Sequence, residues 1–149
     1  MTGLKIAVAD DEASMREYFQ DILTRLGHKV ISVSATGKEL VDGCRSEHPD
    51  MVITDIRMPD MDGIDAASKI YEIIPVPVIL VSAYHDAELI DRALKDYVMA
   101  YLIKPIKMEH LEPAIAIAMR RFAQFQALCK EASGLRQALQ DRKVIERAK

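Results

Sequence analysis

Five short apolar runs, separated by stretches of helical periodicity, organise the first two-thirds of the chain. The run Leu4 to Ala9 ends on Asp10-Asp11-Glu12, and from Ser14 to Leu26 apolar residues return at helical spacing, at Met15, Tyr18, Phe19, Ile22 and Leu26. Gly27 suits a helix stop. Val30 to Val33 reads as a second strand, and Thr36 with Glu39 three residues on makes a capping box that opens a second helix. Met51 to Thr54 is a third strand, followed by a turn containing Pro59, then Gly63 and a helix from Ile64 to Ile73. Val76 to Val81 is apolar and mostly β-branched, which predicts a strand buried on both faces. A helix from Asp86 to about Lys95 precedes the fifth strand, Met99 to Ile103, and a last helix opens near Met108.

Strict alternation of strands and helices with short connections predicts an α/β fold, a doubly wound five-stranded parallel sheet with helices on both faces. Ligand sites in such sheets lie beyond the carboxyl ends of the strands, where strand order reverses. Asp10, Asp11, Asp55, Ser82 and Lys104 all fall just past a predicted strand end. From Leu111 onward the pattern is one extended helix. Ile115, Ala118, Phe122, Phe125, Cys129, Ala132, Leu135 and Leu139 step by three or four, as in a coiled-coil seam. Ser133-Gly134 brings two weak helix formers into it and predicts a kink or break there.

Composition narrows the class. Half of the 149 residues are apolar and 29% are charged, as in a globular protein with room for one core-bearing domain and a short extension. No apolar run is long enough to span a bilayer and no cleavage site follows the N-terminus, so a cytoplasmic location without membrane contact is expected. Cys44 and Cys129 lie far apart without metal-type spacing and read as reduced packing thiols. His28, His48, His85 and His110 likewise share no metal-like spacing and read as surface residues, His85 being the one nearest the pocket. The net charge of -3 hides an asymmetry: residues 1–119 sum to -8 and residues 120–149 to +5.

Three carboxylates meeting at one strand-end pocket repel one another by roughly 3 kcal/mol per pair, if about 5 Å apart at an effective dielectric near 20. All-oxygen ligands suit a hard divalent ion, magnesium or manganese in its place, and disfavour zinc. Such an ion can also bridge to a phosphoryl group, with a lysine and a hydroxyl on the remaining oxygens, roles that Lys104 and Ser82 fit. Asp55, ending the middle strand, is the carboxylate placed to accept that group. Asp10 and Asp11 alone could equally cap the first helix, Ser82 could be an ordinary cap, and Tyr101 a plain sheet aromatic. Asp55 and Lys104 tip the balance toward a site.

The segments Val8-Ala9-Asp10-Asp11-Glu12, Asp55-Ile56-Arg57-Met58-Pro59-Asp60-Met61-Asp62-Gly63, Val81-Ser82-Ala83 and Tyr101-Leu102-Ile103-Lys104-Pro105 resemble the signature set of two-component response regulator receiver domains. The resemblance runs in order over residues 4 to 119 and implies the flavodoxin-like receiver fold. It implies that a sensor histidine kinase or a phosphotransfer protein phosphorylates Asp55. It also implies that Asp11, Asp55 and the backbone carbonyl of Arg57 ligate magnesium, with Asp10 joining through water. Ser82 would bind a phosphoryl oxygen, Tyr101 would turn inward behind it, Lys104 would pair with the phosphate, and the bond to Pro105 would be cis. Two positions depart from the family pattern: Tyr97 stands where glycine is common, and Ile106 where phenylalanine often follows Lys-Pro.

The segment Leu135 to Lys149 resembles the opening of an ANTAR domain, the RNA-binding output module of antitermination response regulators, and Val98-Met99-Ala100-Tyr101 is similar to receivers of that group. A receiver over residues 1–120 and a helical linker or coiled coil over 121–149, incomplete as an output domain, are therefore expected. Arg136, Arg142, Lys143, Arg147 and Lys149 would contact RNA phosphates, with steep salt dependence. The competing reading is a stand-alone receiver that acts on a protein partner, or forms a homodimer, through the coiled coil. A third, an enzyme turning over a separate substrate, is disfavoured, because nothing suggests a second pocket or a separate general acid and base; slow turnover of its own acyl phosphate is the most expected.

Overall fold

The computed structural model describes residues 3–83, 91 and 98–148, with the backbone alone for 133 and 135–148. Strands β1 (Lys5–Ala9), β2 (Lys29–Ser34), β3 (Met51–Asp55), β4 (Val78–Ser82) and β5 (Val98–Ile103) are joined by helices α1 (Ala13–Arg25), α2 (Gly37–Glu47) and α3 (Gly63–Ile73), and α4 (Met108–Ala148) follows β5. Of the helix expected over Asp86 to Lys95 only Asp91 is described, and it is helical and exposed; the rest of that segment, His85 and Tyr97 lie outside the described residues. All strand pairs are parallel, in the order β2-β1-β3-β4-β5. The order reverses between β1 and β3, and the carboxyl ends of those two strands define the crevice where such sheets bind ligands.

Side-chain alternation divides the core between the two faces. Ile6, Val8, Ile53, Ile79 and Val81 pack with Phe19, Ile22 and Leu23 of α1 and with Leu111, Ile115 and Ala118 of α4. Ala7, Ala9, Val52, Val78 and Leu80 face Leu40, Val41 and Cys44 of α2 and Ala66, Ala67 and Ile70 of α3. Every residue of β3 and β4 is buried, which explains why their sequences are apolar rather than alternating. β4 begins at Val78, two residues later than expected, since Pro77 has no N–H to give; its carbonyl still accepts from the Val52 N–H at 3.0 Å.

Helix ends follow local chemistry. Thr36 accepts from the Glu39 N–H at 3.1 Å while the Glu39 carboxylate accepts from the Ala35 N–H, so the capping box reaches one residue further back than its usual form. Gly27, at φ 90°, closes α1 in a Schellman turn: the His28 N–H donates to the Leu23 carbonyl and the Gly27 N–H to that of Thr24. That turn folds His28 inward, where its Nδ1 accepts from the Leu4 N–H at 3.3 Å. His28 is therefore buried, not a surface residue as expected, and burial holds its pKa below the usual range. His48 and His110 are exposed.

The 41-residue α4 is about 60 Å long. It runs unbroken through Ser133-Gly134, contrary to the expected break: a single glycine costs about 1 kcal/mol, too little to end a helix with intact turns on either side. Ile115 and Ala118 are buried against the sheet, and Phe122 and Phe125 pack partly on the same face. The Phe125 ring lies 6.5 Å from that of Tyr71 at the end of α3. Beyond it Leu128 is 65% exposed and Cys129 is exposed as a free thiol, so only Cys44 of the two cysteines is a packing residue. Among the described residues no helix is long and apolar enough to cross a membrane.

Candidate functional site

Strand β1 runs directly into Asp10 and Asp11, Asp55 is the last residue of β3, Ser82 the last of β4, and Lys104 follows β5. Parallel register aligns these ends: Asp55 pairs with Val81 and Ser82 with Ile103. The Ile56 N–H donates to the Val81 carbonyl at 3.0 Å and the Lys104 N–H to the Ser82 carbonyl at 2.8 Å, carrying the pairing one residue past the strands. Carboxylate oxygens of Asp10, Asp11 and Asp55 come within 4.8 Å of one another. Asp10 is fully buried, Asp55 is 7% exposed, and Asp11 opens to solvent.

Asp10 is the most thoroughly tied of the three. Its N–H donates to the Ser34 carbonyl at 3.1 Å, and its own carbonyl accepts from the Arg16 guanidinium at 2.8 Å. Its Oδ1 accepts from the Glu12 N–H at 2.9 Å, so the residue does shape the entry to α1, and its Oδ2 accepts from Lys104 Nζ at 3.0 Å. Lys104 Nζ lies 3.5 Å from Asp55 Oδ2, so one ammonium is shared unequally between two carboxylates. Burial, followed by the charge of Asp10, raises the Asp55 pKa from 3.8 to about 6, although Lys104 opposes the shift. Burial acts to lower the Lys104 pKa, but the hydrogen bond to Asp10 and the charges of Asp55 and Asp10 outweigh it, and the net shift is upward.

The turn after Asp55 is built to lie close. The Gly63 N–H donates to the Ile56 carbonyl at 2.7 Å, and a Cβ on Gly63 would stand 2.2 Å from the Asp55 carbonyl oxygen, so only glycine lets α3 begin against the aspartate. Asp62 caps that helix by accepting from the Asp65 N–H at 2.8 Å. The Thr54 hydroxyl donates to the Asp55 carbonyl at 2.9 Å. Ser82 is buried, Tyr101 is half-buried against the α2/α3 face, and the Lys104–Pro105 bond is cis. The Arg57 side chain is exposed, two residues past Asp55. Ile106 is buried, and its carbonyl accepts from the Tyr18 hydroxyl.

Asp10, Asp11, Asp55 and Lys104 thus meet within one pocket, with Ser82 at the adjoining strand end. Among the described residues the donors are three carboxylates with no thiolate or imidazole, a set fitted to a hard divalent cation. Arg16 escapes a reading of sequence, as do the contacts of Asp60 within its motif: a guanidinium on a backbone carbonyl six residues away, or a carboxylate on the N–H groups of another helix, leaves no periodic signal. Arg136, Arg142, Lys143 and Arg147 belong to α4, but their side chains, and Lys149 altogether, lie outside the described residues.

The family model of the response regulator receiver domain matches residues 6–116. The transcriptional regulatory protein PdtaR of Mycobacterium tuberculosis is 37% identical over 145 residues, 97% of this chain and 71% of the relative. The chemotaxis protein CheY of Thermotoga maritima is 32% identical over 114 residues, 76% of this chain and 95% of that protein. A crystal structure of a response regulator receiver domain protein from Clostridium thermocellum superposes with a TM-score of 0.73 at 30% identity, covering 79% of this chain and 95% of the other. With its motifs at the strand ends of a β2-β1-β3-β4-β5 sheet, the chain belongs to the response regulator receiver family.

Proposed function

We propose that Asp55 is the phosphoacceptor of this receiver and that the observation carrying the assignment is the sharing of Lys104 between Asp55 and a fully buried Asp10. With a pKa of about 6, Asp55 is mostly ionised at neutral pH and available as a nucleophile. An Asp55 carboxylate oxygen attacks phosphorus, the new O–P bond forms as the bond to the donor's imidazole nitrogen breaks, and the electron pair and a solvent proton go to the leaving imidazole. The donor is a sensor histidine kinase or a phosphotransfer protein. Lys104 moves onto the phosphoryl oxygens, Ser82 binds another of them, and Tyr101 turns into the space behind Ser82. The added charge of about -1.5 to -2 drives this rearrangement.

Magnesium, or manganese in its place, would be held by Asp11, Asp55 and the Arg57 backbone carbonyl, with Asp10 reached through water. Once bound it neutralises oxygen charge during in-line transfer. Both oxygens of Asp10 are engaged, one by Glu12 and one by Lys104, which favours the indirect role. Among the described residues nothing supplies a second substrate with its own acid and base, so turnover beyond slow loss of the aspartyl phosphate is not expected.

The output we assign is transcription antitermination through RNA, with the receiver over residues 1–120 and a helical linker leading into an ANTAR-like output over 121–149. The support is the 97% coverage by a transcriptional regulator and the basic balance of residues 120–149. Arg136, Arg142, Lys143, Arg147 and Lys149 would contact phosphates. A second reading, a receiver acting through a partner or a homodimer on α4, is favoured by the exposed Leu128 on the domain-leaving turn and by the 95% coverage of a chemotaxis receiver. Analytical ultracentrifugation with and without phosphodonor, beside RNA binding measured across a salt series, separates them. A logarithmic salt slope near -0.7 per phosphate contact supports the first, and a phosphorylation-dependent doubling of mass without RNA affinity supports the second.

A further inference from the structure

We infer that Asp60 is a positioning residue for the metal-binding loop, acting by clamping the turn after Asp55 to the start of α2; the inference rests on the proposed role of the Arg57 carbonyl. Asp60 Oδ1 accepts from the Gly37 N–H at 2.9 Å and from the Met61 N–H at 2.8 Å, while Oδ2 accepts from the Lys38 N–H at 3.1 Å. One carboxylate thereby joins its own loop to two of the first N–H groups of a helix, groups that have no partner inside that helix. Both parts of the carboxylate are used, and its negative charge faces the positive end of the α2 dipole.

The contact is fitted as well as bonded. A Cβ on Gly37 would stand 2.4 Å from the Met61 carbonyl oxygen, so the helix start and the loop touch through backbone, and only a glycine permits it. The helix that receives the clamp is itself fixed, since Leu40, Val41 and Cys44 are buried and Thr36 caps it from outside. The loop's two ends are held by the Ile56 N–H on Val81 and the Gly63 N–H on Ile56. Asp60 secures the stretch between, which contains Arg57. Fixing a backbone carbonyl in place before the ion arrives lowers the ordering cost of binding, as groups behind a ligand commonly do.

The clamp implies linkage in both directions: Asp60 strengthens ion binding, and ion binding tightens the bonds to Gly37 and Lys38. The test is a magnesium titration of wild type, Asp60→Ala and Asp60→Asn, followed by amide NMR, with initial phosphorylation rates from acetyl phosphate in parallel. In wild type the Gly37 and Lys38 amide signals shift on titration with magnesium. Asp60→Ala lowers magnesium affinity on the order of tenfold, and its phosphorylation rate falls at limiting magnesium and recovers at saturation. Asp60→Asn keeps one acceptor oxygen and lies between. Magnesium affinity within twofold of wild type in a folded Asp60→Ala, or Gly37 and Lys38 amides that ignore magnesium in wild type, overturns the clamp; should the alanine variant not fold, the asparagine variant is judged by the same affinity criterion. Failure of wild type to phosphorylate, or phosphorylation persisting in Asp55→Asn, refutes the phosphoacceptor assignment instead, and the titration still decides the role of Asp60.

Discussion

The strand-end pocket and the outer half of α4 are opposites in construction. In the pocket, Lys104 meets Asp10 across 94 residues of sequence, Asp55 arrives from a third segment, and the groups are largely out of water. The outer half of α4 is held by hydrogen bonds between near neighbours, and its last described tie to the domain core is Phe125 beside Tyr71. A site that must hold repelling charges close together needs long-range structure to pin them. A helix held by its own backbone needs no such pinning, and Leu128 stands on it 65% exposed.

Substitutions should separate the two regions sharply. Asp55→Asn should abolish phosphorylation while leaving α4 intact, read by mass and by far-ultraviolet circular dichroism. Lys104→Met should come next: with the ammonium gone, buried Asp10 and Asp55 lose their shared countercharge, and stability at pH 7 should fall by about 3 kcal/mol in urea unfolding. A stability unchanged from wild type would mean the pocket is not electrostatically strained.

The pH dependence sharpens the same contrast. A native pKa of about 6 for Asp55 against an ordinary 3.8 means that the folded state binds the proton more tightly than the unfolded one. The stability from this group is fully present below about pH 4 and lost as pH rises through about 6, on the order of 1–2 kcal/mol after allowance for solvent screening. In metal-free buffer Asp55→Asn should remove that slope and melt higher than wild type at pH 7. Magnesium should raise the wild-type melting temperature more at pH 7 than at pH 5. Identical pH profiles for wild type and variant would show that Asp55 is not destabilised when charged.

Toward the helix the effects shrink. Phe125→Ala should cost about 1–2 kcal/mol by removing a partly buried ring and its partner at Tyr71. Leu128→Ala should change monomer stability by less than about 0.5 kcal/mol. A larger loss at Leu128, dependent on protein concentration, would mean that a second copy covers that face.

What was legible in the sequence follows the same division. Short apolar runs expose the strands because the central ones are buried on both faces, and the 3.6-residue period exposes the helices because each must bury one face. Acidic residues directly after apolar runs expose the pocket, because strand ends in a parallel sheet converge. Unequal sharing of Lys104, the Arg16 bond to the Asp10 carbonyl and the inward fold of His28 were not legible, since each depends on distances between segments that no periodicity encodes. Ser133-Gly134 does not break α4 for a different reason: residue propensities act weakly one at a time, and the hydrogen bonds of neighbouring turns override them.

The most direct test of the account is intact-mass measurement after incubation with magnesium and acetyl phosphate, wild type beside Asp55→Asn. Wild type should gain one phosphoryl group, dependent on magnesium, and the variant none. Equal labelling of both proteins, or labelling of wild type undiminished by removal of magnesium, would contradict it.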